Sequence, residues 1–97
     1  MIKQDTSENL VNVVYLGIGS NLGNRINNIE NAKYLLTKNQ VEIIKSSSIY
    51  ETYAWPNKKH PKFYNTVIKI FTKLKPINLF FVIKDIEKKI SKKPNIY

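Results

Sequence analysis

The fold class this sequence predicts is α+β, a split β-α-β sheet carrying two helices and lacking its final strand. Three observations lead there. Runs rich in β-branched and aromatic residues alternate with segments of helical apolar spacing, in the order β-α-β-β-α. Each helical segment has one apolar stripe, which suits two helices lying on one face of a sheet. With 97 residues the chain makes one small domain, burying about 60–65% of the surface its unfolded form exposes.

Taken in order, residues 1–10 are polar and mixed in charge and read as a flexible lead, with the domain proper over 11–97. Residues 11–19, VNVVYLGIG, form a β-rich run closed by glycines, a buried strand. Ser20-Asn21 can cap a helix, and Ile26, Ile29, Ala32 and Leu36 recur at helical spacing over residues 23–38. Asn39-Gln40 ends it. Residues 41–50 are a second strand with a weak spot at Ser46, Ser47 and Ser48. Residues 51–62, ETYAWPNKKHPK, carry two Pro and three Lys and make a loop of functional length.

Residues 63–74 alternate as a third strand. Tyr64, Ile68, Ile70 and Leu74 share one face; Phe63, Asn65, Val67, Lys69 and Phe71 share the other. Pro76 suits a helix first turn, and Leu79, Val82, Ile83, Ile86 and Ile90 then make a stripe that carries a helix to about Lys89. Residues 91–97 read as an unstructured end. A split β-α-β sheet normally closes with a fourth strand beside the first. The expectation is therefore a sheet whose first strand is left as an open edge, and a truncated fold.

Composition narrows the chemistry. Cys is absent, which excludes disulfides, Cys-ligated zinc and a thiol nucleophile. The single His60, set between Lys59 and Pro61, reads as an exposed loop residue and excludes two-His metal or triad chemistry. No stretch approaches the roughly 20 apolar residues that span a bilayer, and no secretory h-region opens the chain, so a soluble cytoplasmic protein without a membrane partner is expected. The net charge of +9 is localised: residues 1–57 balance five basic against five acidic residues, while residues 58–97 hold eleven Lys against Asp85 and Glu87. That excess is either a solvated Lys-rich surface or a surface for phosphates.

Two segments carry motifs. Residues 17–23, GIGSNLG, are one residue too long for the dinucleotide fingerprint and lack the lysine of a P-loop; a tight turn into a helix N-cap is the simpler reading. Phe63 and Asn65 lie on the strand face that the helices leave uncovered. A ring to stack on beside an amide with donor and acceptor suits a flat heterocycle, although Phe63 and Trp55 folding over a second minor core explains the same residues. Asp85 and Glu87 are two apart on a helix and cannot clamp one metal ion. Lys88, Lys89, Lys92 and Lys93 either complement the helix dipole or cradle phosphates.

YLGIGSNLGNR (15–25), SSIYET (47–52), PKFYNTV (61–67) and IKDIE (83–87) stand in the order and spacing of the 6-hydroxymethyl-7,8-dihydropterin pyrophosphokinases, and the chain resembles the N-terminal part of that family. The resemblance implies a ferredoxin-like fold and transfer of a diphosphoryl group from ATP to the pterin hydroxymethyl in folate biosynthesis, with Mg²⁺ as the metal. By position it assigns Thr52, Tyr53 and Trp55 to the loop that holds the pterin, Phe63 to the stacking aromatic and Asn65 to the amide that reads its edge. Lys84, Glu87 and Lys92 fall where the family binds ATP. Ser91-Lys92 and Pro94 depart from the family's Gly-Arg and arginine at those places.

The resemblance also implies an Asp-x-Asp pair holding two magnesium ions, and the 97 residues contain none. No catalytic residue and no metal ligand is therefore assigned, and the chain alone is expected not to turn over. A complementing chain or a fused folate-pathway domain is the partner this suggests, besides pterin and ATP. The rival is a basic single-stranded RNA-binding module using Phe63, Lys69 and Phe71 on the open face; the third strand does not fit the RNP1 pattern, which argues against nucleic acid.

Overall fold

The computed structural model describes residues 11–54, 56, 59–90 and 95–96. The elements are β1 (Asn12–Ser20), α1 (Arg25–Thr37), β2 (Val41–Ser46), β3 (Tyr50–Thr52), β4 (Phe63–Thr72), α2 (Pro76–Lys89) and β5 (Asn95–Ile96). The sheet runs β2-β4-β1-β5 with every pair antiparallel, and β3 pairs with the start of β4. This is the α+β, split β-α-β arrangement that the order of elements predicts, and the ferredoxin-like fold that the resemblance implies.

One core holds it together. Leu16 and Ile18 of β1 and Ile68 and Ile70 of β4 face Ile29, Ala32 and Leu36 of α1 and Leu79, Ile83 and Ile86 of α2. The stripe expected on α2 is the one buried, and the helix begins at Pro76 and ends at Lys89 as its sequence implies. Pro needs no intrahelical partner for its nitrogen in the first turn, and its φ is already set for a helix.

Several expectations are corrected. α1 is capped by Asn24, whose side chain accepts from the Asn27 backbone N–H, not by Ser20-Asn21. The turn between them runs through Gly23 at φ 68°, left-handed backbone that glycine adopts freely. Ile26 is consequently exposed, and Asn28 takes the buried place on that side of the helix. The run 41–50 is two strands, since the ladder shifts register between Ile43 and Lys45 and breaks at the serines. Ser47 holds the break: its Oγ accepts from the Val67 N–H at 2.9 Å, and its carbonyl accepts from Thr66 Oγ1 at 3.0 Å.

The end of the chain differs most. Residues 95–96, expected to be unstructured, pair with β1 through Ile18↔Ile96 and Gly19↔Asn95. A fourth strand beside the first is therefore present within these residues, and Ile96 joins the core. β1 is also less buried than its run of apolar residues suggests: Val13 and Tyr15 are 52% and 65% exposed because only the opposite face carries helices.

Asn28 ties α1 to the β1–α1 turn. Its Nδ2 donates to Ser20 Oγ at 3.0 Å and to the Leu22 carbonyl at 2.9 Å, and Ser20 is itself buried. Asn28→Leu leaves those two acceptors dry, which costs about 1–3 kcal/mol. The expected outcome is a melting temperature lowered by roughly 5–15 °C in a domain of this size, read by thermal unfolding; an unchanged value sinks the assignment.

Candidate functional site

Period-two alternation along β4 puts Tyr64, Thr66, Ile68 and Ile70 toward the helices and Phe63 and Asn65 toward the helix-free side. The ladder aligns Tyr50 of β3, Asn65 of β4, Gly19 of β1 and Asn95 of β5 in one row across the sheet. Phe63 stands two residues from Asn65 on the same face, opposite Thr52.

At the centre of the row Asn65 is only 5% exposed. Its Nδ2 donates to the Tyr50 carbonyl at 3.3 Å and to Thr52 Oγ1 at 3.0 Å. A carbonyl can only accept, so the nitrogen must face Tyr50 and the orientation of the amide is determined. The sequence suggests an amide offering donor and acceptor together. The fold instead spends both amide hydrogens on β3 and leaves Oδ1 as the polar group turned toward Gly19.

Gly19 is the floor beneath it. A Cβ built there would lie 2.9 Å from Asn65 Oδ1 and 3.4 Å from Phe63 Cδ1. A Cβ at residue 19 would collide with the amide oxygen and touch the aromatic edge, so the oxygen keeps its place over this strand because residue 19 has no side chain. Sequence reasoning explained the glycines of 17–23 as turn formers and missed this role. Pairing β1 with β4 would have exposed it, since Gly19 and Asn65 are direct cross-strand partners.

Tyr53 is exposed beside this shelf, and the Lys62 ammonium lies 4.9 Å from its ring centroid. Thr52 is held through Asn65. Trp55 and Lys92 lie outside the described residues. On α2, Lys84 Nζ lies 3.3 Å from Glu87 Oε1, and Glu87 Oε2 accepts from the Ile96 N–H at 3.1 Å. Glu87 therefore anchors β5, whose Asn95 pairs with Gly19. The candidate residues of β4 and Glu87 of α2 are thereby linked through the β5–β1–β4 ladder.

Among the described residues no three His, Cys, Asp or Glu side chains converge. Two magnesium ions in octahedral oxygen coordination need several such ligands; the residues described do not fit them. Among the same residues, no helix is long and apolar enough to cross a membrane.

Residues 15–96 match the family model described as 7,8-dihydro-6-hydroxymethylpterin-pyrophosphokinase (HPPK). The chain is 42% identical to the 2-amino-4-hydroxy-6-hydroxymethyldihydropteridine pyrophosphokinase of Aquifex aeolicus over 82% of its length and 49% of that protein. It is 39% identical to the folic acid synthesis protein fol1 of Pneumocystis carinii, over 89% of this chain and 12% of that one. It is 38% identical to a folate synthesis bifunctional protein of Arabidopsis thaliana, over 84% of this chain and 17% of that one. The chain thus spans half or less of the length of these relatives. A crystal structure of an unknown protein from Galdieria sulphuraria shares the fold, with a TM-score of 0.58 over 99% of this chain and 52% of that one at 11% identity.

Proposed function

Since the chain belongs to the 7,8-dihydro-6-hydroxymethylpterin-pyrophosphokinase family, we propose that it holds the pterin acceptor for diphosphoryl transfer from ATP in folate biosynthesis. The shelf of Gly19, Phe63 and Asn65 carries this reading. A flat ring stacks on Phe63, offset stacking being the favoured arrangement. Asn65 Oδ1, fixed by the two bonds its nitrogen makes to β3, accepts from a ring N–H without reorganisation on binding. Thr52 and Tyr53 frame the ring from the adjoining segment, and Trp55 is assigned to the same pterin loop by its place in the sequence alone.

ATP is assigned to the side of Lys84 and Glu87 on α2, with Lys92 added to that group by its place in the sequence alone; lysine ammoniums suit its phosphates. Mg²⁺ neutralises charge between attacking and leaving oxygens in such transfers. Its acidic ligands are absent from the residues described, so we assign them to a further segment, fused or separate, and derive no step through the metal.

Titration calorimetry with 6-hydroxymethylpterin tests the proposal. Saturable binding that is lost in Phe63→Ala and in Asn65→Ala is expected; no binding by the parent chain at millimolar ligand defeats it. The same 97 residues, given ATP, Mg²⁺ and 6-hydroxymethyl-7,8-dihydropterin, are expected to form no AMP above background. Mg²⁺-dependent AMP formation would show that the acidic ligands are already present.

A further inference from the structure

We propose that Arg25 is a positioning residue for this shelf, gripping Phe63 from behind through both of its chain neighbours; the inference rests on the pterin reading above. Arg25 is the only arginine in the chain and the first residue of α1. Its Nη1 donates to the Lys62 carbonyl at 2.9 Å. Its guanidinium carbon lies 3.7 Å from the centroid of the Tyr64 ring. Lys62 and Tyr64 are the residues on either side of Phe63, and Tyr64 points to the helix side of the sheet while Phe63 points away from it.

A planar guanidinium can stack on a ring through its face while donating through its edge, and an ammonium cannot do both. Arg25 therefore restrains the peptide that precedes Phe63 and the ring that follows it with one side chain. The restraint extends further, because the Lys62 ammonium sits over the Tyr53 ring. It also has a firm base. Asn24 caps the helix, and the buried Asn28 ties the same helix to Ser20 and Leu22 in the turn that follows Gly19. The floor of the shelf and its stacking wall are thereby held in one relation by the first turn of α1.

Arg25 touches no reacting group in this scheme, so its loss should act on ligand geometry more than on folding. In Arg25→Met the dissociation constant for 6-hydroxymethylpterin is expected to rise about tenfold, the scale of one charge-assisted contact. The melting temperature should stay within a few degrees, and amide exchange should quicken at residues 62–64 but not at Ile68 and Ile70. Arg25→Lys, which keeps a donor without the flat stack, should fall between. Tyr64→Phe should match the parent, and Tyr64→Leu should match Arg25→Met.

Parent-like affinity in Arg25→Met overturns the proposal, as does an affinity loss that only follows a large drop in melting temperature. Should the parent chain fail to bind the pterin, the function reading fails separately. The exchange measurement then decides the role of Arg25 by itself: unchanged protection at residues 62–64 rules it out.

Discussion

Gly19→Ala is expected to abolish measurable pterin binding and to lower the melting temperature by roughly 5–15 °C. The reason is space. A Cβ at position 19 would meet Asn65 Oδ1 at 2.9 Å and Phe63 Cδ1 at 3.4 Å. The amide is not a loose end that can swing aside, because its nitrogen is bonded to the Tyr50 carbonyl and to Thr52 Oγ1 and the residue is buried. Moving Oδ1 breaks one or both bonds, at about 1–3 kcal/mol where a buried group is left unpaired, which gives the thermal shift for a domain of this size. The new Cβ would only touch the Phe63 edge, so it is the acceptor that is displaced while the stacking surface can stay.

Two companions separate this from a general intolerance of glycine replacement. Gly23 sits at φ 68°, so Gly23→Ala strains the backbone by about 1–2 kcal/mol and should weaken pterin affinity far less than Gly19→Ala. Gly19→Ala combined with Asn65→Ala removes the group that is struck, so the double variant should be more stable than the sum of the single losses and still not bind. Non-additivity of that sign is what direct contact between the two positions requires. Parent-like affinity in Gly19→Ala would dismiss the shelf.

The contrast between these glycines shows what was legible in the sequence. A left-handed turn before a helix leaves a local signature, and α2 likewise announces itself through Pro76 and one stripe. The start of α1 was misplaced because Ser20, Asn21 and Asn24 are all competent caps, and the turn at Gly23 decides among them. β5 was missed because two residues have no periodicity to detect. Its position depends on tertiary groups, the Glu87 carboxylate on the Ile96 N–H and the burial of Ile96. At the site, alternation along β4 sufficed to put Phe63 and Asn65 on one face. It could not reveal that Asn65 is locked, since that follows from β3 pairing thirteen to fifteen residues upstream.

Locking of that amide makes Asn65→Asp the most informative replacement in the molecule. The variant keeps the shape but replaces a donor with a carboxyl oxygen facing the Tyr50 carbonyl. Thr52 can rotate its hydroxyl and donate to a carboxylate; the Tyr50 carbonyl has no hydrogen to offer. In this buried place the ionised acid meets an acceptor and loses water, whereas the neutral acid can donate to Tyr50 as the amide did. Folding therefore favours the protonated form and raises the pKa above its unfolded value of about 3.9. A carboxyl raised by folding has its full stability below the unfolded pKa and loses it as pH rises through the folded one. The variant should approach the parent at and below about pH 4 in melting temperature and in pterin affinity, and lose both as pH rises above that value toward neutrality. The parent, with an amide that does not titrate at this position, should show no such fall from residue 65. Were Asn65→Asp insensitive to pH across that range, its nitrogen would not be holding β3, and Oδ1 would lose its claim to be the fixed acceptor of the site.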